Sequence, residues 1–161
     1  MTIEVLRAMP PDRLPAWLEE TRRNYEKSRI ESGESAEVAA RKAHASMAAS
    51  FPDGKIAPGH LVYDVVALES NGRSTIVGYL WISQTEDRAD AWWVSDIEIH
   101  EDHRGKGYGR AAMQLAEVAA AEQGAATLGL NVFGYNTVAR GLYESLGYET
   151  VSTQMRKPVG E

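Results

Sequence analysis

Apolar and polar positions alternate with period two in six stretches of this chain and recur at helical spacing in four. In the first stretch, residues 2–8, Ile3 and Val5 alternate with polar neighbours and predict a short strand. Pro10-Pro11-Asp12 breaks it and offers a helix start. Leu14, Trp17, Leu18, Thr21 and Tyr25 then fall near helical spacing as far as about Ile30. Ser32-Gly33-Glu34-Ser35 is a turn, with Ser35 the expected N-cap of an alanine-rich helix over 36–50. Phe51-Pro52-Asp53-Gly54 ends that helix, and Pro58-Gly59 prolongs the loop.

Strands dominate the middle of the chain. Residues 60–69 and 74–83 flank Asn71-Gly72, the strongest short hairpin signal, and 91–100 completes an antiparallel meander. A glycine-rich basic run leads into a helix over 111–123 and a strand over 127–133. That strand should run parallel to the one before it, because the connection passes through a helix. A short helix over 136–146 and a closing strand over 148–157, where Val151, Thr153 and Met155 alternate, finish the chain. The order β-α-α-β-β-β-α-β-α-β describes an α+β fold, a mixed sheet with helices on both faces. No repeat or linker divides it, and residues 1–161 are expected to form a single domain.

Composition narrows the function. Hydrophobic residues at 43% are enough for a real core, which argues against disorder. The absence of cysteine excludes disulfides, a thiolate nucleophile and a Cys-type zinc site. No apolar run approaches the ~20 residues that span a bilayer, and Met1-Thr2-Ile3-Glu4 lacks a basic n-region and apolar h-region, so no signal peptide is expected. A cytoplasmic protein without membrane attachment is expected. Seventeen Lys and Arg against 23 Asp and Glu give a formal charge of −6, which disfavours nucleic-acid binding. The acidic field suits a cationic partner such as an amine, and equally serves solubility.

The chemistry concentrates in His103-Arg104-Gly105-Lys106-Gly107-Tyr108-Gly109-Arg110. Glycines at alternate positions let a backbone turn closely around a bulky anion, and the helix start behind them aims free N–H groups at it. Arg104, Lys106 and Arg110 add full charges. No Ser or Thr follows Lys106, which excludes a Walker loop, and the G-x-G-x-G spacing departs from the dinucleotide G-x-G-x-x-G. The run resembles the R-G-x-G-x-G/A signature of the GNAT superfamily of acyl-CoA N-acyltransferases. The segment Asn136 to Tyr148 is similar to that family's N-x-x-A-x-x-x-Y-x-x-x-G-[FY] motif. The two together anchor roughly residues 60–157.

The resemblance implies a GNAT-like fold and an N-acetyltransferase. Such an enzyme moves an acetyl group from acetyl-CoA to a primary amine, a small molecule or a peptide amino group, by direct attack in a ternary complex. It implies that Arg104, Gly105, Lys106, Gly107, Tyr108, Gly109 and Arg110 hold the pyrophosphate of coenzyme A. Ile97, Glu98 and Ile99 would pair with the pantetheine arm in a V-shaped gap between two strands. Asn131 and Asn136 would bond cofactor amides; otherwise Asn131 is a satisfied core amide and Asn136 an N-cap, a role compatible with the first. Tyr143 stands at the family's tyrosine position and would protonate the departing thiolate, or else is a core aromatic.

Relatives carry a Glu at the position of Trp93 or of Asn131, and neither is acidic here. By strand periodicity Asp96, Glu98 and His100 share one face, opposite Ser95, Ile97 and Ile99. The resemblance puts Glu98 nearest the thioester and makes it the preferred base, through a water, with a solvated strand carboxylate the alternative for it. Asp96 and His100 read as solvated, and a site without a dedicated base, taking a low-pKa or already neutral amine, stays open. The acceptor pocket is expected between the first two helices, the loop 51–60 and the ends of the central strands. Trp17, Tyr25, Trp81, Trp92 and Trp93 are its candidate walls, with ordinary core packing the alternative for each. No metal motif occurs. The rival reading is a non-catalytic acyl-CoA binding module, a third is a subunit active only with a partner, and a homodimer stays open.

Overall fold

The computed structural model describes residues 2–160. The first half runs β1 (Thr2–Ala8), α1 (Leu14–Glu31), α2 (Ala36–Ser50), β2 (His60–Glu69), β3 (Ser74–Gln84) and β4 (Ala91–Ile99). It continues through α3 (Tyr108–Glu122), β5 (Thr127–Gly129) and α4 (Thr137–Ser145). The five strands form one sheet in chain order, antiparallel from β1 to β4, with β5 parallel to β4. This is the mixed α+β sheet that the alternation predicts, with helices on both faces.

Each face has its own core. Leu14 and Trp17 of α1 and Met47 of α2 pack on Val62, Tyr79 and Trp81. On the other face Ala112, Met113, Ala116, Ala119 and Ala120 of α3 pack on Val65, Val77, Leu80, Ile82, Trp92 and Val94. The small side chains of α3 let its backbone come close to the sheet, and β3, covered on both sides, is buried without interruption from Val77 to Ile82. Ser35 caps α2 as its sequence position implies, accepting a hydrogen bond from the Val38 N–H at 3.3 Å.

Two expected strands differ. The one read over 127–133 is regular only from Thr127 to Gly129. It pairs with Ala91, Trp92 and Trp93 of β4, and beyond Trp93 no paired neighbour among the described residues supplies backbone partners. The closing strand over 148–157 does not form, so the observed order ends on α4. Its alternating residues meet no cover: Val151 is 96% exposed and Met155 87%. Alternation makes a strand only where a sheet edge and an apolar face receive it, and β5 offers an edge three residues long.

Candidate active site

The parting of β4 from β5 opens the site. After Trp93 the edge of β4 that faced β5 runs on unpaired past Ile97, Glu98 and Ile99 to the glycine loop. Across the gap lies the segment after β5, which holds Asn131, exposed and outside any strand; the core-amide alternative for it is thereby overturned. Gly129 stands at the fork with Trp93 packed over it, leaving no space for a Cβ, which would fall 2.5 Å from the ring.

The loop turns back hard. Gly105 (φ +74°) and Gly107 (φ +87°) occupy the left-handed region that L side chains avoid. Gly107 is the N-cap of α3, and the first intrahelical bond runs from the Ala111 N–H to the Gly107 carbonyl at 3.1 Å. The amides of Tyr108, Gly109 and Arg110 precede that bond and point out of the helix start, carrying its partial positive charge. The helix begins three residues earlier than its apolar periodicity implies, so Gly109 is a helical residue. A Cβ there would stand in ordinary contact with Leu142 and Ile99. Of the three glycines, the turn itself requires the first two.

The cations are partly committed. The Arg104 Nε donates to the Ile99 carbonyl at 2.8 Å and its Nη2 lies 3.5 Å from Glu98 Oε1, clipping the loop to β4. The Arg110 Nη2 donates to Ser145 Oγ at 2.8 Å, joining α3 to α4. Lys106 is exposed on the loop.

A bulge reshapes the other side. Trp81 pairs with Asp96 but Ile82 with Val94, so Ser95 has no counterpart on β3. Trp92 and Val94 before the bulge and Ile97 and Ile99 after it all face α3, a switch from even to odd positions. Asp96, Glu98 and His100 do share the face turned to α1, as periodicity implies. Ser95 departs from expectation and joins them, its Oγ 2.7 Å from Ser83 Oγ. The Tyr79 hydroxyl donates to Asp96 Oδ2 at 2.8 Å and lies 3.2 Å from Glu98 Oε2. Burial pushes the Asp96 carboxyl above the usual carboxylate range, aided by the charges of Glu98 and Glu20 and opposed by the Tyr79 bond.

Tyr143 is half-buried on α4. Burial and then the charge of Asp96 push its phenol above the usual range, so it holds its proton at neutral pH. Asn136 caps α4, accepting from the Ala139 N–H at 3.3 Å.

A cavity of about 290 Å³ opens on the α1 side, lined by Asp12, Arg13, Trp17, Glu20, Tyr79 and His100 among others. Of the five aromatic wall candidates only Trp17 lines it. Trp81 packs edge-on against Trp17 with its N–H on His60 Nδ1 at 3.1 Å, Trp92 belongs to the opposite core, and Tyr25 bonds Arg29 on the outer surface. Sequence reasoning missed Tyr79 and passed over Asp96. The signals were an isolated glycine, Gly78, beside Tyr79 in a strand pattern, and the one-residue slip in the apolar phase of β4. A Cβ on Gly78 would fall 2.1 Å from the Glu98 carbonyl oxygen, so the strands approach closely there. Among the described residues no cluster of three or more potential ligands could hold a metal ion, and no helix is long and apolar enough to cross a membrane.

Residues 14–148 match the model of the acetyltransferase (GNAT) family. YycN of Bacillus subtilis (strain 168), an uncharacterized N-acetyltransferase, is 29% identical over 162 residues, 98% of this chain and 99% of its own length. YdgE of the same organism, also an uncharacterized N-acetyltransferase, is 29% identical over 137 residues, 83% of this chain and 84% of its own. The crystal structure of YycN superposes with a TM-score of 0.85 at 27% identity, covering 99% of this chain and 100% of that one.

Proposed function

The chain belongs to the GNAT acetyltransferase family, and from that membership we propose that it transfers an acetyl group from acetyl-CoA to a primary amine by direct attack in a ternary complex. The observation that carries this reading is the parting of β4 from β5 immediately before a left-handed glycine loop at a helix start. A long, flexible ligand ending in a diphosphate suits that arrangement: the arm lies along the free edge of Ile97, Glu98 and Ile99, and the diphosphate meets the amides of residues 108–110. Gly105, Gly107 and Lys106 shape and charge the loop around it. Arg104 and Arg110 brace its two sides while adding positive potential, and Asn131 and Asn136 flank the arm.

Three demands define the chemistry. The attacking nitrogen must be neutral, the thioester carbonyl gathers negative charge, and the leaving sulfur needs a proton. The free edge of β4 offers oriented N–H donors to the carbonyl oxygen. Tyr143 keeps its proton at neutral pH and supplies it to the sulfur. A carboxylate of β4 receives the nitrogen's proton: Asp96 and Glu98 both meet the hydroxyl of Tyr79, whose ring lines the cavity. In the cavity Asp12 and Glu20 stand with Arg13, whose charge is offset by Asp64, and that balance suits a cationic acceptor, a small amine or a peptide amino group.

Replacing Tyr143 tests the assignment. Tyr143→Phe should lower kcat by about 100-fold or more, the low end for general acid catalysis, while calorimetry finds acetyl-CoA affinity unchanged. Wild-type turnover in that variant would remove Tyr143 from the mechanism.

A further inference from the structure

We propose that Asp96 is the group that takes the proton from the acceptor amine, with Tyr79 as the residue that positions it. The inference deepens the transfer reading above and rests on it. Geometry separates Asp96 from Glu98. The bulge at Ser95 turns two consecutive residues, Ser95 and Asp96, toward α1, next to the point where β4 leaves β5. Glu98 stands one step nearer the glycine loop, with one carboxylate oxygen facing the Arg104 guanidinium. It is tied to the loop that closes on the anion.

Tyr79 supplies the second argument. A phenol carries one proton, and two carboxylates converge on this one. The shorter approach, 2.8 Å, is to Asp96. Tyr79 is only 3% exposed, so its ring is fixed by the core and its hydroxyl cannot swing away. That bond fixes the Asp96 carboxyl in one orientation. Charged and titratable groups surround Asp96 from the neighbouring elements: Glu20 from α1, Tyr79 from β3, Glu98 along β4 and Tyr143 from α4, with Arg104 beyond Glu98 and His100 farther along the same face of β4. Burial raises the proton affinity of Asp96 toward that of an effective base, and a bound ammonium restores the charge balance.

The proton balance closes. The ammonium gives one proton to Asp96, and the neutral nitrogen forms the C–N bond to the thioester carbon. The C–S electron pair leaves on sulfur and takes the Tyr143 proton. The nitrogen's second proton restores Tyr143, and Asp96 releases its proton to water. One amide, one thiol and one proton result from one ammonium and one thioester.

The test follows free thiol from acetyl-CoA with butylamine or spermidine, which arrive protonated, and with hydroxylamine, which is neutral at pH 7. Asp96→Asn should lose about 100-fold in kcat with the alkylamines, flatten the acidic limb of the kcat/KM profile, and lose less than about fivefold with hydroxylamine. Glu98→Gln should keep that limb. In the free protein, ¹³C NMR of labelled aspartates should find a carboxyl that titrates above the ordinary aspartate range, vanishes in Asp96→Asn, and moves further up in Tyr79→Phe. An Asp96→Asn enzyme that matches wild type with the alkylamines, or an Asp96 carboxyl titrating in or below the ordinary range, overturns this inference alone. A wild-type enzyme that releases no thiol with any of the three acceptors overturns the transfer reading and this inference with it.

Discussion

Gly107 concentrates more structural demand than any other residue of the loop. At φ +87° it caps α3 while directing the chain away from β4, and nothing crowds its α-carbon, so the requirement is conformational and not steric. Gly107→Val should cost about 1–2 kcal/mol of backbone strain, or be relieved by moving the helix start out of place. Acetyl-CoA affinity measured by calorimetry should fall about tenfold or more. Unchanged affinity would mean that the helix start does not hold the diphosphate. Single residues also mark the limit of sequence reading. The basic glycine run could be read at sight because its chemistry is local. Asp96 could not, because its neighbours Tyr79, Glu20 and Tyr143 come from three other elements. The slip from Trp92 and Val94 to Ile97 and Ile99 was visible in the sequence, but it marks a bulge only once β3 shows which residues pair.

At the scale of elements, α4 joins stability to chemistry. It is short, Thr137–Ser145, and held by the Asn136 cap, the Arg110–Ser145 bond and the packing of Tyr143 and Leu146 against the α3 face. Asn136→Ala should cost about 0.5–2 kcal/mol, seen as faster hydrogen exchange of the α4 amides, with kcat falling as Tyr143 loses its fixed place. Asn136→Ser keeps a capping oxygen and removes the amide. If Asn136 also bonds the cofactor, Asn136→Ser should raise the KM for acetyl-CoA while leaving exchange slow; an unchanged KM would confine Asn136 to capping. The two long helices and the three strands of the meander were predicted within a residue or so, since their periodicity extends over many turns or pairs. The last strands were not. β5 stops where its partner diverges, and α3 starts among glycines that carry no apolar signal.

For the molecule as a whole, the sheet matters because it is incompletely closed. Residues 149–160 lie exposed beyond it, with the Arg156 guanidinium donating to the Ser32 carbonyl at 3.0 Å. Removing the chain from residue 151 onward should shift the thermal midpoint by about 2 °C at most, as expected for loss of exposed surface. A larger drop would show that the alternation of Val151, Thr153 and Met155 does pair within the fold. The sequence by itself determined the order of most elements, the two-faced core and the glycine loop, because period, turn chemistry and capping act over a few residues. Only the tertiary structure decided how far β5 follows β4, which side of the bulge faces the cavity, and which carboxylate meets Tyr79. Those depend on pairing between segments distant in the chain, where a shift of one residue exchanges the two faces of a strand.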